Sequence, residues 1–202
     1  MTLSEEKKYP RSLMEIDWAD LPVRVSNILL RKAAGYWGMK ENNQTKFDGF
    51  NEANVVAAIG QHLESSGVDV FYEAEYVGGG DNKCDIYAES WRDEKGIYIE
   101  VKLLWEGNEA RLNFKNPEKD LFLKDIRKLK SIPHHDVICL FVVAIHSPKN
   151  EVGAINSFLD KFVGHASKEA NTKPTWSYVN LGDVVELSND NLAYLHVLCW
   201  EI

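Results

Sequence analysis

The chain has 202 residues, a formal net charge of −8 and an isoelectric point near 5.3. This length suits one globular domain, and a 45% share of hydrophobic residues is enough for a substantial core. The acidic balance argues against a protein that binds nucleic acid through an extended basic surface. The three cysteines are scattered, which argues against a disulfide framework, and the N-terminus has no apolar run typical of a signal peptide. We therefore expect a cytoplasmic protein that does not enter a membrane.

The N-terminal part of the chain predicts helices. Residues 1–46 are expected to be an N-terminal helical extension, with a helix over 20–38, and residues 47–202 are expected to form the main domain. A second amphipathic helix is predicted over 47–66, with Asp48 as its N-cap.

Glu52 has an unusual position in this second helix. It precedes Val56 by four residues and Ile59 by seven, so it falls on the apolar stripe of the helix. An unpaired carboxylate on that stripe is costly unless it meets a partner or a metal ion. The alternative is a partly solvated glutamate in the first turn, where the helix dipole favours negative charge.

Residues 96–104 alternate in the manner of a β-strand, whose successive side chains point to opposite faces. One face carries only apolar residues, namely Ile97, Ile99, Val101 and Leu103. The other face carries Tyr98, Glu100, Lys102 and Leu104. A strand is also predicted over 67–77, before the hairpin to which residues 96–104 belong.

Residues 83–89 alternate as well and are separated from this strand by a polar, turn-like stretch. If the two segments form a hairpin in which the apolar faces meet, paired residue numbers add up to about 185 or 187. The first register places Asp85 opposite Glu100 and the second places it opposite Lys102. In both, the carboxylates of Asp85 and Glu100 lie within reach of one cation. The alternative is a solvent-exposed face with a weak Lys–Glu cross-strand pair.

The acid-x-lysine pattern on its own is not specific. It occurs five times in the chain, and only the copy that starts at Glu100 lies in an apolar strand pattern. Carboxylates are the ligands that Mg²⁺ prefers, and a lysine beside the ion can act on an attacking water. The combination therefore predicts hydrolysis of a phosphodiester bond.

The remaining elements complete an α/β chain. A helix is predicted from Asn116-Pro117 to about Lys130, followed by a strand over 137–145 that is apolar on both faces. A further helix is expected over 151–163, with strands over 176–181 and 192–200.

Basic residues are enriched next to the hairpin. The segment 103–130 carries seven basic and five acidic residues, while the chain as a whole is acidic. Candidate residues for binding a nucleic-acid backbone are Lys83, Lys124, Arg127 and Lys128. For any one of these, a solvated helix face is an equally good explanation.

The order of these features resembles the PD-(D/E)XK nuclease superfamily, also called the restriction-endonuclease-like fold. The resemblance covers residues 47–147 and rests on Glu52, Asp85 and the Glu100-x-Lys102 motif. The proline that usually precedes the aspartate is replaced by Cys84. The resemblance implies a mixed central β-sheet flanked by helices, with a core in the order αβββαβ.

The resemblance also implies roles for the residues. Asp85, Glu100 and the backbone carbonyl of Val101 would bind Mg²⁺ or Mn²⁺, and Glu52 would act through a water or a second metal ion. Lys102 would orient or activate the attacking water. The expected activity is that of a metal-dependent nuclease, either an endonuclease or an exonuclease, with DNA as the favoured substrate.

One alternative stays open. The chain could be a non-catalytic nuclease-fold subunit, or an acidic inhibitor or interaction protein that mimics nucleic acid. The four residues Glu52, Asp85, Glu100 and Lys102 favour the enzyme, and the net charge favours the alternative. A homodimer or a protein partner is compatible with either function.

Overall fold

The structure is a computed structural model. It describes residues 12–38, 51–76, 83–90, 92–93, 95–105, 121–133, 137–148, 152–180 and 193–202. The helices are α1 (Leu21–Gly38), α2 (Glu52–Ser65), α3 (Leu121–Lys130) and α4 (Val152–Ala170). The strands are β1 (Asp69–Tyr72), β2 (Ile86–Glu89), β3 (Gly96–Trp105), β4 (Val137–Pro148), β5 (Thr175–Asn180) and β6 (Ala193–Glu201). A short 3₁₀ turn, Leu13–Glu15, precedes α1.

The strands form one mixed sheet in the order β1-β2-β3-β4-β6-β5. Strands β3 and β4 pair in parallel, and all other described neighbours pair antiparallel. A parallel pair needs a crossover, and the chain between β3 and β4 contains α3. The prediction of an α/β protein with a mixed sheet flanked by helices is therefore confirmed. The order α2-β1-β2-β3-α3-β4 is also the predicted αβββαβ succession.

The register of the β2–β3 hairpin agrees with one of the two predicted registers. Ile86 lies opposite Ile99, and Ala88 lies opposite Ile97. All four side chains are fully buried, so a one-residue slip would move them to the opposite face. The matching of apolar faces was therefore enough to set the register.

The central strands of the sheet are buried on both faces, and this corrects part of the interpretation of β3. On one face, α1 and α2 cover a core that includes Ile99 and Val101. On the other face, α3 and α4 cover a second core that includes Tyr98 and Leu104. The face with Glu100 is thus an interior face rather than a solvent-exposed one. In strand β4, residues 139–144 are buried and belong alternately to the two cores, as the sequence predicted for this strand.

Helix α1 is part of the first core. Its residues Leu21, Val25 and Leu29 are fully buried and belong to the same apolar cluster as Val55 and Ile59 of α2. The helix also contacts β5 and β6. The predicted N-terminal extension therefore shares a hydrophobic core with the rest of the protein.

The ends of the helices differ in part from the prediction. Helix α2 begins at Glu52 and is capped by Asn51, whose side chain accepts a hydrogen bond from the amide of Asn54 at 2.9 Å. Asp48 and the predicted α3 start at Asn116 lie outside the described residues. Helix α3 ends at Lys130 as predicted, whereas α4 continues to Ala170. None of the helices described has the length and apolar character needed to cross a membrane.

Candidate metal and catalytic site

Asp85 lies immediately before β2 and is held against β3. Its carboxylate accepts a hydrogen bond of 2.6 Å from the backbone N–H of Val101. Extending the observed register by one residue places Asp85 opposite Glu100. The prediction that the hairpin brings Asp85 to the Glu100-x-Lys102 motif is therefore confirmed.

Lys102 is the centre of a group of oxygen atoms. Its Nζ atom donates a hydrogen bond of 2.9 Å to the carbonyl of Val101. Three carboxylates surround the same Nζ atom, Asp125 at 3.4 Å, Glu52 at 3.5 Å and Asp85 at 3.9 Å. We call Lys102, Glu52, Asp85 and Asp125 the Lys102 cluster. Four separate parts of the chain supply it: α2, the start of β2, β3 and α3.

Glu52 combines both interpretations of its sequence position. It is the first residue of α2, where the helix dipole stabilises a carboxylate. Its side chain is 44% exposed, so it is far from fully buried, yet it faces Lys102. The helix therefore directs a partly solvated carboxylate toward the cluster.

Glu100 forms a separate group two residues earlier on the same face of β3. Its side chain is 3% exposed and accepts hydrogen bonds from the hydroxyl of Tyr76 and, at 2.7 Å, from Nζ of Lys128. The Lys128 ammonium also donates to the carbonyl of Lys83 at 2.7 Å and lies 4.6 Å from the ring centre of Tyr76. We call Glu100, Tyr76 and Lys128 the Glu100 cluster.

Burial dominates the electrostatics of the Glu100 cluster. It raises the pKa of Glu100 to about 7, although the hydrogen bonds from Lys128 and Tyr76 act in the opposite direction. Burial also raises the pKa of Tyr76, and the bond to Glu100 adds to that shift. Tyr76 therefore remains a neutral donor at neutral pH.

The Lys102 cluster behaves differently because its charges are unequal in number. Burial alone would lower the pKa of Lys102, but Asp125, Asp85 and Glu52 outweigh it and the pKa is raised. Burial raises the pKa of Asp125, and Lys102 partly offsets this. Lys102 is thus a firmly held ammonium ion at neutral pH.

The predicted backbone-binding residues divide into two groups. Lys83 and Lys124 are exposed. Arg127 instead forms a two-pronged ion pair with Glu169 of α4, at 2.9 and 3.1 Å, and Lys128 belongs to the Glu100 cluster. Half of the predicted basic surface is therefore already paired with acids.

The oxygen atoms of the Lys102 cluster are of the type that Mg²⁺ and Mn²⁺ prefer. Their spacing is that of an ammonium complex, since 3.4–3.9 Å exceeds the bond lengths of about 2.0–2.6 Å to such ions. In the described parts of the chain, no three His, Cys, Asp or Glu side chains lie close enough to share a metal ion. The donor chemistry fits a divalent cation, and Lys102 occupies the centre.

Two residues of these clusters were not predicted from sequence. Asp125 precedes Lys128 by three residues on α3, so both reach the sheet from one helix face. The sequence pattern marked Asp125 only as one acid among the charges of that helix. Tyr76 lies beyond the end of β1, and its position beside Glu100 has no local sequence signal.

Comparisons with known proteins do not assign the chain to a family. Neither protein-family models, nor curated proteins, nor solved structures gave a match. The candidate site therefore depends on its own residues and on the geometry that joins them.

Proposed function

We propose that the protein is a metal-dependent nuclease that hydrolyses phosphodiester bonds by means of an activated water. The observation that carries the proposal is the Lys102 cluster, in which one ammonium group faces three carboxylates and a backbone carbonyl. With all four side chains ionised, the cluster has an excess of two negative charges. A divalent cation would neutralise that excess.

The cluster and its surroundings suit the roles expected from the resemblance to the PD-(D/E)XK superfamily. Asp85, the Val101 carbonyl and Glu52 would hold Mg²⁺ or Mn²⁺, with Asp125 as an additional carboxylate. When bound, the ion would polarise the phosphoryl oxygen and lower the pKa of a coordinated water. Glu100 would bind the ion only after exchanging its bond with Lys128.

Lys102 has two tasks in this proposal. A cation at this position orients the attacking water and offsets the negative charge that develops on the phosphate. The three carboxylates keep it protonated, because they raise its pKa. It therefore acts as a positioned cation rather than as a base.

The substrate class follows from the balance of charges. The protein is acidic, and two of the four predicted backbone-binding residues are paired with acids. Strong, sequence-independent affinity for duplex nucleic acid is therefore not expected. Single-stranded DNA, or DNA delivered by a protein partner, fits this balance best.

One observation favours a second function, a non-catalytic subunit on the same fold. The acid of the Glu100-x-Lys102 motif is already paired, because Lys128 and Tyr76 satisfy Glu100 in the interior. An acidic protein of this kind would bind a partner in place of nucleic acid. The two functions differ in whether a divalent cation binds at the Lys102 cluster.

The test is cleavage of a panel of single- and double-stranded DNA and RNA with Mg²⁺ or Mn²⁺. We expect Asp85→Ala and Lys102→Ala each to reduce the rate by at least about 100-fold, the size typical of losing a water-activating group. Lys32→Ala is the matched control, since Lys32 is exposed on α1, outside both clusters and outside the predicted nucleic-acid-binding residues.

Two results would reject the proposal. One is equal cleavage by the wild type and the variants, which would indicate a contaminating nuclease. The other is the absence of metal-dependent cleavage together with the absence of Mn²⁺ binding in calorimetry. The latter result would support the non-catalytic subunit.

A further inference from the structure

A cleft lies between α1 and α2 and is lined by polar side chains together with Ile28 and Leu30. Its volume is about 570 Å³, within the range of roughly 300–1,000 Å³ typical of small-molecule sites. Helix α1 contributes Arg24, Asn27 and Arg31, and helix α2 contributes Gln61, His62 and Ser65. None of the described residues that line the cleft is acidic, although the carboxylate of Asp20 lies beside Arg24.

The cleft is separate from the Lys102 cluster. Glu52 begins α2, and His62 lies ten residues further along the same helix. At 1.5 Å per residue, these two residues are about 15 Å apart along the helix axis. A ligand of the size of a mononucleotide in the cleft would not contact the proposed metal site.

Two arginines define the chemistry of the cleft. Arg24 and Arg31 are separated by two turns of α1, so they lie on the same side of the helix and about 10 Å apart along its axis. Arg24 donates from Nε to Asp20 at 2.6 Å, and Arg31 donates from Nε to the carbonyl of Asn27 at 3.2 Å. Neither of these bonds uses a terminal Nη atom, the part of the guanidinium group that forms paired bonds to phosphate.

His62 shows that the two helices bring their polar groups together. Burial lowers the pKa of His62, and the charge of Arg24 from the opposite helix lowers it further, while the charge of Asp20 acts in the opposite direction. The carbonyl end of α2 disfavours an anion, so the arginines of α1 must supply most of the attraction. Amides at Asn27 and Gln61 and the hydroxyl of Ser65 add neutral hydrogen-bonding groups.

We propose that this cleft binds a small organic phosphate with at least two negative charges, of the size of a nucleotide. Arg24 and Arg31 bind the charged groups, and the polar groups of both helices contact the remainder. This site is independent of the proposed nuclease activity, so either proposal can fail without the other.

The test is calorimetric titration of the full chain with AMP, ADP and pyrophosphate in the presence of a chelator. The chelator removes divalent cations and so prevents binding through the Lys102 cluster. We expect saturable binding of ADP, weakened at least tenfold by Arg31→Gln and further by Arg24→Gln combined with Arg31→Gln. Lys32→Gln removes an exposed charge of α1 outside the cleft and should change the affinity less than twofold.

Three results would overturn the proposal. They are the absence of saturable binding for all three ligands, equal weakening by Arg31→Gln and Lys32→Gln, and binding of a short oligonucleotide without binding of any mononucleotide. The last result would identify a nucleic-acid backbone as the ligand. Circular dichroism of each variant checks that the fold is retained.

Discussion

Glu100 and Lys102 are two residues apart on the same face of β3, yet their surroundings differ. Glu100 is 3% exposed and has one cation and one hydroxyl as partners, which offset part of the cost of burying its charge. Lys102 is 21% exposed and faces three carboxylates, so its cluster has unbalanced negative charge. The same motif thus contains a closed structural pair and a partly exposed cluster with excess negative charge.

The largest expected effect comes from removing the lysine that pairs with the buried Glu100. Lys128→Met leaves Glu100 buried without its cation, which costs on the order of 3–5 kcal/mol of stability. The measurement is urea-induced unfolding of the variant and the wild type, with Lys124→Met as the control of equal charge. The double variant with Glu100→Gln should recover part of the loss. An equal loss of stability in Lys124→Met would show that the loss does not come from the pair between Lys128 and Glu100.

A second prediction concerns pH. The pKa of Glu100 is about 7 in the folded protein and near 4.5 in the unfolded chain, so between these values the folded state holds a proton that the unfolded state has lost. Stability should therefore fall as the pH rises from about 4.5 to 7, by on the order of 3 kcal/mol. Unfolding free energies over this range measure the effect. In Glu100→Gln this part of the pH dependence should disappear, and an unchanged profile would contradict the assignment.

The third prediction concerns Asp125, whose carboxylate lies 3.4 Å from Nζ of Lys102. Asp125→Asn keeps the shape of the side chain but removes its charge, so we expect a rate of cleavage about tenfold lower, or ~1.4 kcal/mol. The pKa of Lys102 should fall as well, because Asp125 is the strongest of the groups that raise it. Nitrogen NMR of the lysine side chain follows this pKa. Lower activity without a change in the pKa of Lys102 would indicate that Asp125 has a purely structural role.

The smallest expected effect tests whether the ammonium group of Lys102 occupies the position at which a divalent cation would bind. Lys102→Met leaves three carboxylates without their ammonium, and we expect a loss of about 1 kcal/mol in the presence of a chelator. Millimolar Mg²⁺ should restore stability in the variant more than in the wild type, because binding to the folded state stabilises it. Thermal unfolding with and without Mg²⁺ gives this comparison. An equal response of both proteins would contradict the prediction.

The hairpin at the centre of the site was predictable because its alternating sequence allows few pairing registers that bury the apolar residues of both strands. The apolar residues of β2 and β3 must meet on one face, and that requirement brings Asp85 to Glu100. The helix, strand and helix that follow were predictable for the same reason, since each has a strong apolar period. Helix ends were less certain, and α2 is capped by Asn51 instead of Asp48.

The closure of the second face was not predictable from local patterns. A strand with charged residues on one face has the same sequence pattern whether that face is exposed to water or packs against a helix of opposite charge. Lys128 and Asp125 of α3 meet Glu100 and Lys102 only after the crossover to β4 has formed. Contacts between residues so far apart along the chain leave no periodic signal near either partner.

Helix α1 has a consequence for how the chain is made. Its apolar face packs on β5 and β6, although α1 ends at Gly38 and β5 begins only at Thr175. A ribosome adding about 5–20 residues per second needs roughly 7–27 s to cover that distance. During this interval Leu21, Val25 and Leu29 lack the strands that they later cover. Until those strands are made, contact with α2 is the part of this packing that can form, so α1 completes its apolar core late in synthesis.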